Sequence, residues 1–223
     1  YSGCWTGFKI VSDVADSGKR YDVGVEQSPI IIPNEEFLGE YRDLSRNILY
    51  SDTPREQDYR LQRSKGFAAQ EFVRANNIDY SIWKSDESRL GIITSGKSYN
   101  DVREALRWLG IDESRAKKLG LCIYKVGMPW PLEPQGVREF CEGLESILLV
   151  EEKRELIEHQ VKWQLYNWKD TVRPTVVGKQ DENGDWLLPA ENDLPLQTIV
   201  EALSLIHISE PTRLLSISDA VVC

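Results

Sequence analysis

The sequence predicts an α/β protein with a parallel, doubly wound sheet. From Leu90 onward, short apolar runs alternate with amphipathic stretches of helical length, which is the pattern of βαβ units. Each apolar run is bounded by Gly, Pro or charged residues, as buried parallel strands are. Because crossovers between parallel strands are right-handed, we expect helices on both faces of the sheet.

The predicted strands are four short apolar runs. They lie at residues 90–94, 121–126, 146–150 and 174–177. The dipeptide Asn183-Gly184, which precedes the apolar residues 186–188, is typical of a tight hairpin turn. We therefore expect an antiparallel ribbon after the last parallel strand.

The predicted helices fall between these strands. Residues 100–109 place Val102, Leu106 and Leu109 on one face, and Ser98 and Asp101 have the spacing of a capping box. The other stretches of helical pattern are residues 133–144, opened by Pro134, residues 154–168, and residues 194–203.

The first 87 residues are less regular. They contain an apolar segment at 5–14, a β-rich run at 21–32, a polar loop through Pro54 and a long helix to about Asn77. A long polar loop is unusual inside a compact domain. We therefore expect residues 1–87 to be the end of a preceding domain, with residues 80–88 as the connection into the domain at 88–202.

Charge and cysteine usage narrow the class of protein. The net charge is −9 with acids and bases interleaved, which argues against nucleic acid or an anionic membrane surface as the partner. No run of about 18 apolar residues predicts a membrane span. The four cysteines lack the short spacings of metal sites, and Cys122 and Cys141 fit a reduced core, so we expect no metal site and a cytoplasmic location.

Residues 91–98 match the phosphate-loop pattern G-x-x-x-x-G-K-[ST]. In a true phosphate loop the apolar strand precedes the first glycine, whereas here Ile92 and Ile93 look like the strand itself. We therefore favour a tight strand-to-helix turn. Its exposed N–H groups and lysine make Ser95, Gly96, Lys97 and Ser98 candidates for weak anion binding.

Other strand ends offer weaker candidates for a site. The proline-rich loop at 128–134 follows a strand end, where open α/β sheets place ligands, and Trp130 fits a partner surface as well as a pocket. Glu151 and Glu152 could serve as acid or base, but a solvated pair ahead of a helix is favoured. His159 is predicted on the surface. No catalytic residue is assigned.

The last residues differ in character from the rest. The string LSLIHISEPTR at 203–213 matches an in-frame translation of a common transposon-type sequencing adapter, and ISDAVVC at 217–223 resembles its continuation. We therefore expect residues 203–223 to be a non-native tail. The chain also begins without an initiator methionine, so we expect an internal piece of a longer polypeptide.

Several longer motifs carry a family resemblance. They are YSGCW at 1–5, RLGIITSGKSY at 89–99, YKVGMPWPLEP at 124–134, VEEK at 150–153 and QLYNW at 164–168. These motifs resemble the indolepyruvate ferredoxin oxidoreductase family across residues 1 to about 202.

The resemblance implies a part of a thiamine diphosphate enzyme. Residues 1–87 would end a pyrimidine-binding α/β domain, and residues 88–202 would form a transketolase C-terminal-like domain. Such enzymes oxidatively decarboxylate aryl 2-oxoacids to acyl-CoA with electrons passing to ferredoxin, using thiamine diphosphate, magnesium and 4Fe-4S clusters. The resemblance also implies partners: the missing domains of the same polypeptide, a homo-oligomer, ferredoxin and coenzyme A. We expect this chain to bind no cofactor alone and to serve structure and assembly.

Two other classes of function stay open from the residues alone. One is a stand-alone flavodoxin-like binding or assembly module. The other is a phosphate-loop nucleotide-binding protein. A native stop codon near residue 202 would favour the first, and ATP binding by the chain alone would favour the second.

Overall fold

The computed structural model describes residues 1–8, 10, 12–16, 18, 29–42 and 44–208. Its centre is a five-stranded sheet in the order β1-β3-β2-β4-β5. The strands are β1 (Tyr80–Ile82), β2 (Leu90–Ser95), β3 (Leu121–Val126), β4 (Ser146–Val150) and β5 (Thr175–Val177). Strands β2 to β5 are parallel to one another, and β1 is antiparallel to β3. The predicted α/β class with a mostly parallel sheet is confirmed.

Before the sheet, α1 (Ser12–Ala15) and a 3-10 turn (Glu36–Tyr41) precede one long helix. That helix comprises α2 (Pro54–Arg60), a π-helical turn (Leu61–Lys65) and α3 (Gly66–Ala75). Thr53 and Glu56 form a capping box at its start, which fixes where it begins. The predicted long helix is confirmed; most of the predicted β-rich run lies outside the described residues.

The remaining helices cover both faces of the sheet. They are α4 (Gly96–Trp108), α5 (Glu113–Leu119), α6 (Pro134–Cys141), α7 (Ile157–Leu165) and α8 (Leu196–Ile208). Alternate strand residues face opposite sides. Ile92 and Ile123 pack with α4, α5 and α8, whereas Ile93 and Leu149 pack with α6 and α7. The predicted coverage of both faces is confirmed.

The predicted antiparallel ribbon is wrong. The turn at Asn183-Gly184 forms, but only a single antiparallel bridge, Gln180 to Trp186, follows from it. The N–H groups of Leu187 and Leu188 instead donate to the carbonyl of Lys179, so no regular ladder develops. The antiparallel strand is β1, which lies in the segment predicted as a connection; Tyr80 and Ser81 are exposed, so no apolar pattern marks it.

Helix boundaries also differ from the prediction. Helix α4 begins at Gly96 rather than at residue 100, and no side chain caps its N-terminus, so the predicted capping box of Ser98 and Asp101 is absent. Ser98 is already inside the helix and buried. No helix in the part of the chain that the structure describes is long and apolar enough to cross a membrane.

Candidate functional site

The carboxyl ends of the parallel strands are where open α/β sheets bind ligands, and the predicted anion turn lies there. Ser95 is extended, Gly96 has a φ of +53°, and α4 starts at once. The Lys97 ammonium is 2.9 Å from the Asp101 carboxylate, one helical turn away. The structure thus brings Ser95 to Ser98 together at the start of α4, and their anion binding stays a prediction.

The phosphate-loop pattern does not form a phosphate loop. Gly91 pairs with Cys122 and Ile147 inside the sheet, and β2 continues to Ser95. The residues between the two glycines are therefore a buried strand whose N–H groups cannot converge on a phosphate. A Cβ added at Gly91 would lie 2.7 Å from Leu144 and 3.0 Å from Phe140, so close packing requires a glycine here.

The proline-rich loop at 128–134 follows β3 and ends where α6 begins at Pro134. Side chains from distant segments hold it. The Asp79 Oδ1 accepts hydrogen bonds from the N–H groups of Gly127 (2.6 Å) and Met128 (3.1 Å). Gln160 of α7 donates to the carbonyl of Pro129 (2.8 Å) and accepts from the N–H of Leu132 (2.9 Å). The loop is fixed at both ends, and Trp130 between them is 67% exposed.

Glu151, at the end of β4, is buried and caps α7. Its two carboxylate oxygens accept hydrogen bonds of 2.9–3.1 Å from the N–H groups of Leu156, Ile157 and Glu158. The favoured interpretation of Glu151 and Glu152 as a solvated pair is therefore wrong for Glu151, which is 5% exposed. Burial raises the pKa of Glu151, and the three N–H groups oppose that rise.

Lys179 lies two residues after the end of β5 and is buried at the same end of the sheet as Glu151. Its ammonium donates to the carbonyls of Glu151 (2.6 Å) and Pro189 (2.8 Å), and its N–H donates to the Glu158 carboxylate (3.0 Å). Burial lowers the pKa of Lys179, opposed by the nearby Glu151 and Glu158 carboxylates. The sequence analysis did not predict a role for Lys179. The sequence feature that could have indicated it is the pair Gly178-Lys179 directly after the strand. The glycine is needed there because a Cβ at residue 178 would collide with the Glu158 carboxylate.

A groove of about 360 Å³ lies between the end of α3, strand β1 and helix α6. Asp79, Tyr124 and Glu133 are among the residues that line it. The second Asp79 oxygen, Oδ2, is buried without a hydrogen-bond partner among the described residues. Burial raises the pKa of both Asp79 and Tyr124. The Glu133 carboxylate accepts hydrogen bonds from the first N–H groups of α6, whereas Asp79 Oδ2 remains, within the described part of the chain, an unpaired acceptor in this groove.

Among the side chains that the structure describes, we find no activated nucleophile at Cys122, Cys141 or His159. Burial raises the pKa of Cys122 to about 11 and of Cys141 to about 12, so both are protonated thiols at neutral pH. Cys4, Cys122 and Cys141 are free, and His159 is exposed on α7. Among the described residues no group of three His, Cys, Asp or Glu side chains could hold a metal ion.

The fold and these contacts define a class of protein: an α/β domain in which side chains of the domain itself, such as Glu151, Gln160 and Lys179, bond to the backbone at the carboxyl ends of the strands. Residues 79–203, more than half of the chain, match the family model described as the indolepyruvate ferredoxin oxidoreductase middle domain. The chain therefore belongs to the indolepyruvate ferredoxin oxidoreductase family, and the predicted resemblance is confirmed. The match begins just before β1, while the predicted divisions at residues 87 and 202 stay predictions.

Among curated relatives, indolepyruvate oxidoreductase subunit IorA of Thermococcus kodakarensis is 32% identical over 130 residues, which are 58% of this chain and 18% of the relative. The corresponding subunit of Pyrococcus horikoshii is 35% identical over 120 residues, 53% of this chain and 16% of the relative. The chain thus spans less than a fifth of these relatives.

One solved structure with partial similarity is a 2-oxoglutarate:ferredoxin oxidoreductase from Magnetococcus marinus, solved with 2-oxoglutarate, coenzyme A and succinyl-CoA bound. Its TM-score is 0.45 at 15% identity, covering 71% of this chain and 24% of that chain.

Proposed function

We propose that this chain is the middle part of an oxidoreductase that oxidatively decarboxylates aryl 2-oxoacids of the indolepyruvate type. The full-length enzyme would form an acyl-CoA and pass electrons to ferredoxin, and this part would serve structure and assembly. Membership of the family, shown by the match over residues 79–203, supports the reaction class. The names of the relatives support the indolepyruvate substrate.

The structural role rests on one observation: the carboxyl edge of the sheet is occupied by its own side chains. Both carboxylate oxygens of Glu151 accept hydrogen bonds from N–H groups at the start of α7, and the Lys179 ammonium donates to two backbone carbonyls. A general acid or base must reach a substrate atom directly or through one water. Both groups are buried, at 5% and 3% exposure, and face partners inside the domain. We therefore infer that this domain holds the other domains of the enzyme in place.

Thiamine diphosphate, magnesium and 4Fe-4S clusters belong to this proposal for the full-length enzyme only. The described residues do not fit 4Fe-4S clusters or a metal ion held by three protein ligands, because Cys122 and Cys141 are buried thiols and no such set of ligands converges among them. We therefore propose that other parts of the polypeptide bind the cofactors and coenzyme A. A homo-oligomer and a cytoplasmic location are also proposed; the free buried thiols support a reducing compartment.

The test is an assay of the full-length protein together with any partner subunit encoded beside it. Indolepyruvate and phenylpyruvate are expected to reduce ferredoxin in a reaction that requires coenzyme A and added thiamine diphosphate. Pyruvate and 2-oxoglutarate are the matched aliphatic controls and should react more slowly. Preference for an aliphatic substrate would overturn the aryl assignment, and no oxidation of any of the four would overturn the proposed reaction.

A further inference from the structure

The outward side of α7 differs from that of the other helices around the sheet. Leu156, Trp163 and Tyr166 lie exposed along it, at 47%, 79% and 74% exposure. His159, Gln160 and Asn167 lie beside them. The charged residues next to this stripe are both paired: the exposed Lys162, one turn before Tyr166, pairs with the buried Glu158, and Glu155 lies 3.7 Å from His159. The helix therefore presents a largely apolar stripe to solvent, with its charged side chains along one margin.

The other helices show the ordinary arrangement. The exposed positions of α4 include Arg103 and Arg107, and those of α6 include Arg138 and Glu139. Depletion of charge combined with enrichment in Trp and Tyr is the compositional signature of a buried interface. Single exposed aromatics occur elsewhere, for example Trp108 at 65% exposure, but Trp108 follows Arg107 on a charged helix and its indole N–H donates to Glu104.

Trp130 extends this side of α7 across the clamped loop. Gln160 bonds to Pro129 and to Leu132, so it holds the loop on both sides of Trp130 directly against the helix. The same glutamine lies one turn from Leu156 and from Trp163. We call Trp130, Leu156, Trp163 and Tyr166 the α7 apolar surface. Neither of its two indole N–H groups donates a hydrogen bond within the described residues.

The size of this surface indicates what covers it. An aromatic side chain buries about 150–250 Å². The three aromatics and Leu156 thus amount to on the order of 500 Å², near the upper end of the apolar patches that monomers expose, roughly 300–600 Å². A standard interface between separate proteins takes about 800 Å² from each partner, whereas contacts between domains of one chain start at roughly 600 Å² in total.

We propose that the α7 apolar surface is covered, in the full-length protein, by another domain of the same polypeptide. More than four fifths of the curated relatives' length lies outside the matched segment, so ample chain exists to supply it. The covering face is apolar and offers carbonyl or carboxamide oxygens to the indole N–H groups of Trp130 and Trp163. This inference rests on the proposed function, since it assumes a longer enzyme of which the chain is one part.

The test compares Trp163 with Trp108 in the full-length protein by hydroxyl-radical footprinting and mass spectrometry, which needs no substitution. Trp163 is expected to be oxidised several-fold more slowly than Trp108, although the two are similarly exposed in this chain. Equal oxidation of the two residues would overturn the proposal. The result does not depend on catalytic activity, so an inactive protein with protected Trp163 would contradict the proposed reaction alone.

A photo-crosslinker then identifies the occupant. p-Benzoylphenylalanine in place of Trp163 should link to residues outside this chain but within one polypeptide, without a doubling of mass on a denaturing gel. The same replacement at Trp108 is the control and should give no such link. Crosslinks from position 163 to a second copy or to a partner subunit would overturn the assignment to the same polypeptide, as would the absence of any crosslink.

Discussion

Gly91 lies in the middle of β2, where neighbouring side chains pass directly over its Cα. The nearest atoms to an added Cβ belong to Leu144 and Phe140, both part of the core on the α6 side of the sheet. The phosphate-loop pattern would give this glycine a role in phosphate binding. In the structure, its lack of a side chain instead lets Leu144 and Phe140 pack closely against the strand. The two roles predict different effects of a methyl group.

Replacing Gly91 with alanine should destabilise the sheet by about 1–3 kcal/mol, because the added carbon overpacks a closed core. The measurement is hydrogen exchange of the β2 amides in the full-length protein. Gly66→Ala is the matched control: its φ is helical and a Cβ there meets only ordinary contacts, so the variant should be neutral or more stable by up to about 1 kcal/mol. Unchanged β2 exchange in Gly91→Ala would show that the core yields.

Asp79 provides a pH-dependent test of the groove. Burial raises its pKa above the ordinary 3.8, so the folded protein holds this proton more tightly than the unfolded chain does. Its contribution to stability is fully present below the ordinary pKa and is lost as pH rises through the raised pKa. Asp79→Asn keeps the Oδ1 acceptor for Gly127 and Met128 but removes the titration. The thermal midpoint of the variant relative to the native protein should therefore rise with pH.

Asp181 is the control for that experiment because its sign is opposite. Backbone N–H groups of Asp185 and Asn183 lower its pKa, so its contribution is present above the ordinary pKa and is lost as pH falls. Asp181→Asn should be less stable than the native protein at neutral pH and should approach it in acid. A stability difference that stays flat or changes with pH in the opposite direction would contradict the assignment for that residue.

At the scale of elements, the parallel strands were predictable, whereas the antiparallel β1 and the helix ends were not. Runs such as residues 121–126 are apolar except for the half-buried Lys125, and burial on both faces of a parallel sheet favours such runs. Helix α7, in contrast, begins where Glu151 satisfies its first N–H groups, and the loop after β3 is fixed by Asp79, 48 residues earlier in the chain. Asp79 acts over a long stretch of chain, and Glu151 reaches the helix across a loop rather than from the usual capping position, so neither contact follows a spacing that the sequence reveals.

Glu151→Gln tests whether this carboxylate sets the start of α7. A glutamine retains one acceptor oxygen in place of two, and it loses the charge that favours a helix N-terminus. We expect the amides of residues 156–158 to exchange about tenfold faster in the full-length protein, which corresponds to a loss of roughly 1.4 kcal/mol. Glu142→Gln, at an exposed carboxylate after α6, should leave its local exchange within about twofold.

Across the whole molecule, α8 closes the face of the sheet that α4 and α5 cover. Ile199, Ala202 and Leu203 are buried in that core, whereas Leu205 is exposed. The family match also ends at residue 203. Within the predicted tail, Leu203 is buried in the core, whereas Ser204 is half-buried and Leu205 is exposed. Residues 209–223 lie outside the described part of the chain.

Shortening the chain tests where the folded unit ends. Since the last buried side chain that the structure describes is Leu203, a chain ending there should keep its thermal midpoint within about 2 °C of the chain ending at Cys223. A chain ending at Asp193 loses Leu194, Ile199, Ala202 and Leu203 from the core and should lose cooperative unfolding. Calorimetry of the three chains decides the matter. A large drop on removing residues 204–223 would show that they pack against the domain, and the proposal that this segment is a non-native tail would lose its structural support.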